Sequence, residues 1–400
     1  MIRCIDEPIV STGCSAPSLG RVLFLSASVG GGHTRAAEAV AASIRQLAGR
    51  GAVRYESMEV VDVLEHSTPW FRGAYRGAYL GLLARAPTLL GWLYERSDRA
   101  FHGVATRWAT AHANLRPLRR LIAEFAPDTI VSTHFLPAEY LAGLRRRGRL
   151  DARLVTVVTD MHAHGMWLAK PCDRYFVAND ECARTLELAG IDPAAVDVTG
   201  IPIDPAFAVP LERNAARLRH SLPLDRPVVL FTTGGACVGP VASLYAQLLA
   251  LRTPCALVAV SGRSEIARCV LERQLALHGA RSPVVARVIG HTNVMHELMA
   301  AADVLVGKPG GLTSTEARAS GLPMAIVHAV PGQEEHNASA LLEAGCAIRC
   351  ANPSSAAWRI DRLLERPNEL ARLARNARAG STPLAGIAVA ERLAAMCAVR

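Results

Sequence analysis

Residues 304–316 read Val-Leu-Val-Gly-Lys-Pro-Gly-Gly-Leu-Thr-Ser-Thr-Glu, which is a short apolar strand, a glycine turn and the start of a helix. The turn lets backbone N–H groups approach an anion, and a helix beginning near Thr313 directs its positive end to the same point. Residues 331–337, Pro-Gly-Gln-Glu-Glu-His-Asn, open a further helix with amide and carboxylate side chains. A glycine turn alone also serves as a plain helix cap. An anion-binding turn beside hydroxyl-binding side chains is typical of a nucleotide-sugar site.

The same order of strand, turn and helix recurs along most of the chain. We predict strands at residues 22–27, 53–61, 129–132, 154–159, 175–178 and 196–199, and again at 228–233, 256–260, 284–289, 304–306 and 324–327. Continuous apolar strands that alternate with helices are typical of parallel sheets covered on both faces. The sequence therefore predicts an α/β protein of two Rossmann-like parallel-sheet domains that face a cleft.

A proline-rich segment without periodicity, residues 200–210, separates the two halves. Because such segments are typical of linkers, we place a first domain at residues 1–205 and a second at residues 206–384. The last helix, residues 385–398, follows a Gly-Ser-Thr-Pro break. We expect that helix to pack back on the first domain.

The chain of 400 residues has a net charge of +9, and Lys170 and Lys308 are its only lysines, so arginine supplies nearly all of the positive charge. A basic surface favours acidic partners, namely nucleic acid, anionic lipid headgroups or phosphorylated substrates. The ten cysteines lack the spacing of zinc sites. Neither a signal peptide nor an uncharged apolar run of about 18 residues is evident. We expect a cytoplasmic protein that is soluble or peripheral on a membrane.

Residues 70–125 break the alternation of strands and helices. They form a helical stretch in which arginines are interleaved with Trp70, Phe71, Tyr75, Tyr79, Trp92, Tyr94, Phe101 and Trp108. This combination suits a membrane interface, whereas an ordinary helical insertion would bury the aromatic residues as core. A basic run at residues 145–149 is either a solvated loop or a phosphate-binding segment.

Polar residues follow several predicted strands of the first half, at the edge where the carboxyl ends of parallel strands meet. Gly31, Gly32 and His33 follow the first strand and open a helix, whose dipole favours a neutral imidazole able to accept a proton. Asp160 follows another strand and is a candidate general base. His134 follows a third strand and is expected to shape the same site.

Other chemistries fit this edge less well. The contiguous glycines at residues 30–32 lack the spacing of a dinucleotide fingerprint, although Glu59 and Asp62 lie where its acidic residue would fall. No GK[ST] ends the turn, which excludes a Walker P-loop. His162 and His164 weakly resemble metal-ligand spacing, but no third ligand is evident, so we expect no metal.

A second set of turns follows the strands of the second half. Gly234 and Gly235 form a turn suited to a diphosphate, and Arg263 is placed to pair with phosphate. The backbone near Gly290 offers groups that can read the flat edge of a uracil base. No Asp-x-Asp occurs, so helix dipoles and arginine, rather than a carboxylate-held metal, are expected to stabilise a leaving group.

Together these segments resemble the monogalactosyldiacylglycerol synthase and processive diacylglycerol glycosyltransferase family, which is related to the lipid I N-acetylglucosaminyltransferases. The resemblance spans residues 21–375 and rests on segments 26–33, 158–160, 198–203, 295–299, 308–316 and 331–337. The chain departs from the family pattern at Thr34 and Gly165. The resemblance implies the GT-B fold, with a lipid acceptor held by the first domain and a UDP-sugar held by the second.

The resemblance also implies roles for individual residues. Asp160 and His33 would be catalytic and would serve the acceptor hydroxyl. The acceptor would contact Gly31, Gly32, His134 and Trp167. UDP would contact Gly234, Gly235, Ser261, Arg263, Gly290, Met295, Gly310, Gly311, Leu312, Thr313 and Glu316, the last of these on the ribose. The sugar would contact Gln333, Glu334 and Asn337.

The implied reaction is an inverting, metal-independent transfer of galactose or glucose from UDP-galactose or UDP-glucose to diacylglycerol, giving a β-glycosyl glycolipid without a cofactor. Its partners would be the UDP-sugar, diacylglycerol and anionic headgroups at the inner face of the cell membrane, and no nucleic acid. One enzymatic alternative is N-acetylglucosamine transfer to a lipid-linked cell-wall intermediate, and another is transfer to a different lipid alcohol such as ceramide. Non-catalytic alternatives are a nucleotide-sugar sensor and a basic nucleic-acid-binding protein, for which no recognised module is present.

Overall fold

The computed structural model describes residues 16–28, 30–234, 239–279 and 282–398. Its strands are β1 (Arg21–Ser26), β2 (Ser57–Asp62), β3 (Thr129–Ser132), β4 (Arg153–Val157), β5 (Arg174–Val177), β6 (Val196–Val198), β7 (Val228–Thr232), β8 (Ala256–Val260), β9 (Val285–Ile289), β10 (Val304–Gly307), β11 (Met324–Val327) and β12 (Ala347–Cys350).

The α-helices of the first half are α1 (Gly32–Gly49), α2 (Pro69–Arg85), α3 (Pro87–Ser97), α4 (Val104–Asn114), α5 (Arg116–Phe125), α6 (Phe135–Arg146) and α7 (Asp180–Leu188). Those of the second half are α8 (Arg213–Arg219), α9 (Val241–Leu249), α10 (Glu265–His278), α11 (Met295–Ala301), α12 (Gly311–Ala319), α13 (Gln333–Glu343), α14 (Pro353–Leu364), α15 (Pro367–Ala379) and α16 (Ala385–Ala398).

The strands form two six-stranded sheets, in the orders β2-β1-β3-β4-β5-β6 and β12-β11-β10-β7-β8-β9, and neighbouring strands pair in parallel. Val22, Leu23, Phe24 and Leu25 of β1 are all fully buried, although alternate residues face opposite sides of the sheet. Burial on both faces explains why these strands read as continuous apolar runs. The predicted fold of two Rossmann-like parallel-sheet domains is confirmed.

The clearest differences from the predicted strands are the later start of β2 and the presence of β12, which was not predicted. The predicted strand began at Val53, but β2 begins at Ser57. Val53 is buried in the core, yet it precedes the residues that pair with β1. β12 is an edge strand of sequence Ala-Ile-Arg-Cys that the sequence did not predict. Four residues with half-buried middle positions carry too little periodicity to be recognised.

Each sheet has a point where the strand order reverses, between β1 and β3 in the first sheet and between β7 and β10 in the second. The loops that leave the carboxyl ends of these strand pairs diverge to opposite faces, so a crevice opens between them. His33 and His134 follow β1 and β3, and the glycine turns at Gly234 and Gly310 follow β7 and β10, whereas Asp160 follows β4, the neighbour of β3.

The domains are joined by apolar contacts and by the last helix. Ala36 and Met161 of the first half pack in one buried cluster with Leu312 of the second. The last helix, α16, lies against α1, where a Cβ on Gly386 would come within 2.5 Å of the Ser43 hydroxyl oxygen.

The segment between β2 and β3 consists of α2, α3, α4 and α5, and its aromatic residues range from buried to largely exposed, with the side chain of Tyr79 outside the described part of the chain. Phe71 is buried against Leu115, whereas the side chains of Trp70 and Trp92 are 75% and 53% exposed. The core interpretation therefore holds for part of this segment, and the interfacial interpretation stays a prediction for its exposed part. Among the helices described, none is long and apolar enough to cross a bilayer.

Candidate functional site

His33 lies in the first turn of α1, above the reversal point of the first sheet. Its Nδ1 is 3.0 Å from the Thr133 carbonyl oxygen and 2.7 Å from the Thr159 hydroxyl. Because a carbonyl oxygen only accepts, Nδ1 carries the proton and Nε2 is the basic nitrogen of the neutral ring. Burial lowers the pKa of His33, although Asp160 and the Thr133 carbonyl oppose that change. The neutral form is therefore favoured at physiological pH.

Asp160 follows β4 and is 4% exposed. Its Oδ2 accepts a hydrogen bond of 3.2 Å from the Trp167 indole, and its Oδ1 accepts one from the Gln333 amide of the second domain. These two donors fix the plane of the carboxylate. One catalytic candidate is thus bound by a residue predicted to contact the sugar.

His134 completes this cluster of the first domain. Its ring lies 4.7 Å from that of His33, edge to face, and its Nδ1 accepts a hydrogen bond from the Leu136 backbone. Burial lowers the pKa of His134 well below its usual range, and His33 lowers it further. Two neutral imidazoles therefore stand beside one carboxylate.

These groups line a partly open cavity of about 70 Å³. Its walls are His33, His134, Asp160, Trp167 and Gln333 together with Tyr75, Tyr94, Phe135, His164 and Met166. Sites for drug-sized ligands usually occupy about 300–1,000 Å³, so the cavity accommodates a small polar group rather than a whole lipid or nucleotide.

Helix α3 contributes Tyr94 to the wall of the cavity and also contacts the second domain. A Cβ on Gly332, whose φ is +90°, would lie 2.7 Å from the Tyr94 ring, and a Cβ on Gly91 would lie 2.6 Å from Pro331. The Tyr94 carbonyl accepts a hydrogen bond of 2.9 Å from His164 Nε2. The helical segment therefore reaches the loop that precedes the predicted sugar-binding helix.

The departure at Gly165 has a steric cause. A Cβ at this position would lie 2.7 Å from the backbone of Arg99, and the Gly165 N–H donates to Asp98. His162 also contacts Asp98, at 3.1 Å. His162 and His164, the two histidines considered as metal ligands, thus bond to Asp98 and to the Tyr94 carbonyl. No group of three potential metal ligands occurs among the described residues.

The glycine turn after β10 meets the first domain. Helix α12 begins at Gly311, where a Cβ would lie 2.2 Å from the Thr159 carbonyl oxygen, whereas a Cβ on Gly310 would meet nothing within 4 Å. Gly311 is therefore required by the close approach of the two domains. Leu312 is buried in the interdomain cluster, and Thr313 is half-buried.

Lys308 is a cation that the sequence analysis did not assign to the site. Its side chain passes about 3.8 Å from the position of a Cβ on Gly234, whose φ of +71° requires glycine. Lys308 also lowers the pKa of Glu334, which burial raises. Lys308 lies between the two glycine turns of the second domain. The rarity of lysine in this arginine-rich chain was the sequence signal that could have assigned Lys308 to the site.

Glu316 is 4% exposed, and its Oε1 lies 3.1 Å from Arg35 Nη1 of α1. Burial raises the pKa of Glu316 to about 7, while Arg35 opposes the change and Asp204 adds to it. A carboxylate predicted to bind ribose thus has its counter-ion in the other domain. The sequence alone gave no signal of this pair.

The three residues predicted to bind the sugar have different surroundings. Gln333 lines the cavity, whereas Glu334 accepts a hydrogen bond of 2.7 Å from the Val330 backbone. Asn337 is fully buried, and its Oδ1 accepts a hydrogen bond of 3.0 Å from the Met161 backbone of the first domain. The Asn337 Nδ2 has no partner among the described residues.

The remaining residues predicted to bind UDP lie along the same edge of the second sheet. Ser261 is buried and bonded to neighbouring carbonyls, and the Arg263 side chain is exposed after β8. Gly290 follows β9, and Met295 opens α11. Gly235 lies outside the described residues.

Both halves of the chain match known glycosyltransferase families. Residues 33–203 match the family model of monogalactosyldiacylglycerol (MGDG) synthase, and residues 271–380 match that of glycosyl transferases group 1. A processive diacylglycerol beta-glucosyltransferase of Bacillus licheniformis is 27% identical over 327 residues, which cover 82% of each chain. The resemblance inferred from the sequence is confirmed.

Solved structures share the fold at low identity. Acinetobacter baumannii MurG is 16% identical with a TM-score of 0.57, covering 94% of this chain and 99% of its own. Anabaena Alr3699/HepE in complex with UDP and glucose is 14% identical with a TM-score of 0.55, covering 95% of this chain and 100% of its own. The chain has the GT-B fold.

Proposed function

We propose, from its similarity to diacylglycerol glucosyltransferases, that this chain is an inverting glycosyltransferase that moves a hexose from a UDP-sugar to the hydroxyl of diacylglycerol. The observation that carries the proposal is the contact between Asp160 of the first domain and Gln333 of the second, inside a shared cavity. A base and a sugar-binding amide meet there, as transfer between two substrates requires. The hexose is galactose or glucose.

The donor is proposed to lie across the reversal point of the second sheet. The diphosphate contacts the turn at Gly234 and the amino end of α12, where backbone N–H groups and the helix dipole favour an anion. Lys308 adds a positive charge between these turns. The ribose hydroxyls bond to Glu316, and the hexose faces Gln333.

Transfer then proceeds by direct displacement at the anomeric carbon. The acceptor oxygen forms its bond to that carbon as the bond to UDP breaks, and the bonding pair leaves with the phosphate. Asp160 removes the acceptor proton, alone or through Nε2 of His33. Proton transfer of this kind contributes about 10²–10⁴-fold, and stabilising the leaving group contributes a comparable factor.

The reaction is proposed to need neither cofactor nor metal. The cations at the donor edge belong to the protein, and the described residues hold no cluster of three potential metal ligands. Turnover that persists in excess EDTA supports this part of the proposal. Turnover that is abolished by EDTA and restored by a divalent cation contradicts it.

We further propose that the protein works on the inner face of the cell membrane, with α2 and α3 at the lipid surface. The exposed indoles of Trp70 and Trp92 suit the headgroup region, and the net charge of +9 favours anionic headgroups. In the basic run at residues 145–149, Arg145 and Arg146 already pair with Asp173 and Glu139. Diacylglycerol stays in the bilayer, so the enzyme must reach its acceptor there. Flotation with neutral and anionic vesicles tests whether positive charge contributes to membrane binding. Equal binding to both kinds of vesicle would refute that contribution.

The decisive assay is incubation of the full chain with radiolabelled UDP-galactose, UDP-glucose or UDP-N-acetylglucosamine and diacylglycerol vesicles that contain anionic lipid. Extraction and chromatography of a labelled glycolipid from either hexose donor supports the proposal and identifies the sugar. Label only from UDP-N-acetylglucosamine, or from no donor, contradicts it. Ceramide vesicles run in parallel test for another lipid alcohol.

A further inference from the structure

The ion pair between Arg35 and Glu316 crosses the cleft between the two domains. Arg35 lies on α1, two residues after His33. Glu316 lies on α12, whose amino end follows the glycine turn after β10. The Arg35 side chain is 44% exposed, whereas that of Glu316 is 5% exposed. One partner is therefore a buried acid that depends on a guanidinium of the opposite domain.

Close packing holds these two helices together. A Cβ on Gly32 would lie 3.8 Å from Leu312, and Ala36 packs in the same buried cluster as Leu312. Arg35 lies between Gly32 and Ala36 on α1. The ion pair is thus supported by apolar contacts on both sides.

A buried carboxylate is costly unless it is paired, and it otherwise takes up a proton. Burial raises the pKa of Glu316 to about 7, Arg35 counteracts this rise and Asp204 strengthens it. Glu38, one turn after Arg35 on α1, is exposed. On the other helices packed against α12, Glu334 of α13 bonds to the Val330 backbone, and Arg378 of α15 bonds to the Ser320 carbonyl beyond the end of α12.

We propose that Arg35 is a positioning residue for the donor, reaching across the cleft to keep the Glu316 carboxylate charged and oriented toward the ribose hydroxyls of the UDP-sugar. The inference rests on the proposed function, in which Glu316 binds the ribose. An ionised carboxylate accepts hydrogen bonds from both hydroxyls of a ribose diol, whereas its protonated form offers one donor and fewer acceptor sites.

This arrangement links donor binding to closure of the cleft. The same helix, α1, carries His33 at the cavity and Arg35 at the donor helix. Glu316 has its counter-ion only when α1 and α12 are close, so the ribose site is complete only in the closed arrangement.

The test is calorimetric binding of UDP-glucose and UDP-galactose between pH 6.5 and pH 9, where the phosphate groups of these donors do not titrate. The variants are Arg35→Met, Arg35→Lys and Glu316→Gln, with Arg45→Met as the control, since Arg45 is exposed on the same helix. Because Glu316 has a raised pKa of about 7, its charged form is lost as the pH falls through that value. Wild-type affinity should therefore rise with pH through about 7.

Removing the Arg35 guanidinium should raise the midpoint of the donor affinity profile by about one pH unit. Arg35→Met then binds donor about fivefold more weakly at pH 7 and equals the wild type at pH 9. Arg35→Lys and Arg45→Met should follow the wild type, and Glu316→Gln should bind weakly at every pH.

An unshifted profile for Arg35→Met, or tighter binding at pH 7, would overturn the inference. So would a uniform loss at every pH that Arg35→Lys does not restore, since that result, with a lowered melting temperature, indicates a purely structural role. A wild-type protein that binds neither donor at any pH refutes the proposed function itself. That result is distinguishable from failure of the Arg35 inference alone.

Discussion

The two sheet edges that face each other across the cleft use different chemistry. The first-domain edge holds a carboxylate, Asp160, beside the neutral imidazoles of His33 and His134. The second-domain edge consists of glycine turns, the amino end of α12 and Lys308. In the proposed function, proton transfer therefore belongs to the first domain and stabilisation of an anion to the second. Under that proposal both edges are needed for transfer.

Asp160→Asn tests the first edge most strongly. Asparagine keeps the size of the side chain and an oxygen for the Trp167 indole, but it cannot take a proton. We expect kcat to fall about 10²–10⁴-fold while donor affinity is kept. Asp225→Asn is the matched control, because Asp225 pairs with Arg226 on the surface. Near-normal turnover by Asp160→Asn would contradict the division of roles.

The pH dependence of kcat at saturating donor sharpens the same comparison. Burial lowers the pKa of His33, so its neutral form persists as the pH falls to 6.5 and is lost only below that value. We expect kcat to stay flat from pH 8 to pH 6.5 and to decline at lower pH. His33→Gln should lower kcat about 10–100-fold, within the usual range for acid–base groups. His278→Gln, exposed in the second domain, should have no effect.

Gly311→Ala tests whether the edges must approach each other. The added Cβ would lie 2.2 Å from the Thr159 carbonyl oxygen, whereas the same change at Gly310 meets open space. Overpacking of this kind costs about 1–3 kcal/mol. We expect Gly311→Ala to lower activity about tenfold. Thermal unfolding should show a lower melting temperature for Gly311→Ala and an unchanged melting temperature for Gly310→Ala. Equal melting temperatures and activities for the two variants would argue against a required close approach of the edges.

The smallest effect is expected at the lipid surface. Trp92→Ser removes an exposed indole of α3, and Trp358→Ser removes an equally exposed indole of α14 in the second domain. Loss of one interfacial aromatic should weaken vesicle binding severalfold, since an indole at the headgroup level buries only part of the apolar surface whose full burial contributes about 1.5–3 kcal/mol. Flotation should detect this loss for Trp92→Ser only. Equal losses would show that α3 is not the membrane face.

Much of the fold was predictable, because parallel strands buried on both faces read as apolar runs. The predicted strands at residues 129–132, 256–260 and 324–327 agree with β3, β8 and β11 at both ends. The edge strand β12 was not predictable, since four residues with half-buried middle positions carry too little periodicity.

The sequence also predicts the strand after which each candidate residue lies, and therefore its sheet edge, because the catalytic candidates and the glycine turns come directly after apolar runs. It could not predict the contacts across the cleft. The Gly311 approach to Thr159, the Arg35 pair with Glu316 and the position of Lys308 join residues far apart in the chain, and no local pattern encodes them. The assigned roles of the site residues remain predictions.

The measurement that tests the account most directly is the anomeric configuration of the glycolipid product, read from its proton NMR coupling constant. Attack by an acceptor hydroxyl activated at Asp160, on the face opposite the departing UDP, inverts the anomeric carbon. The account predicts a β-linked hexose from the α-linked donor. An α-linked product would contradict direct displacement and the division of roles between the two edges.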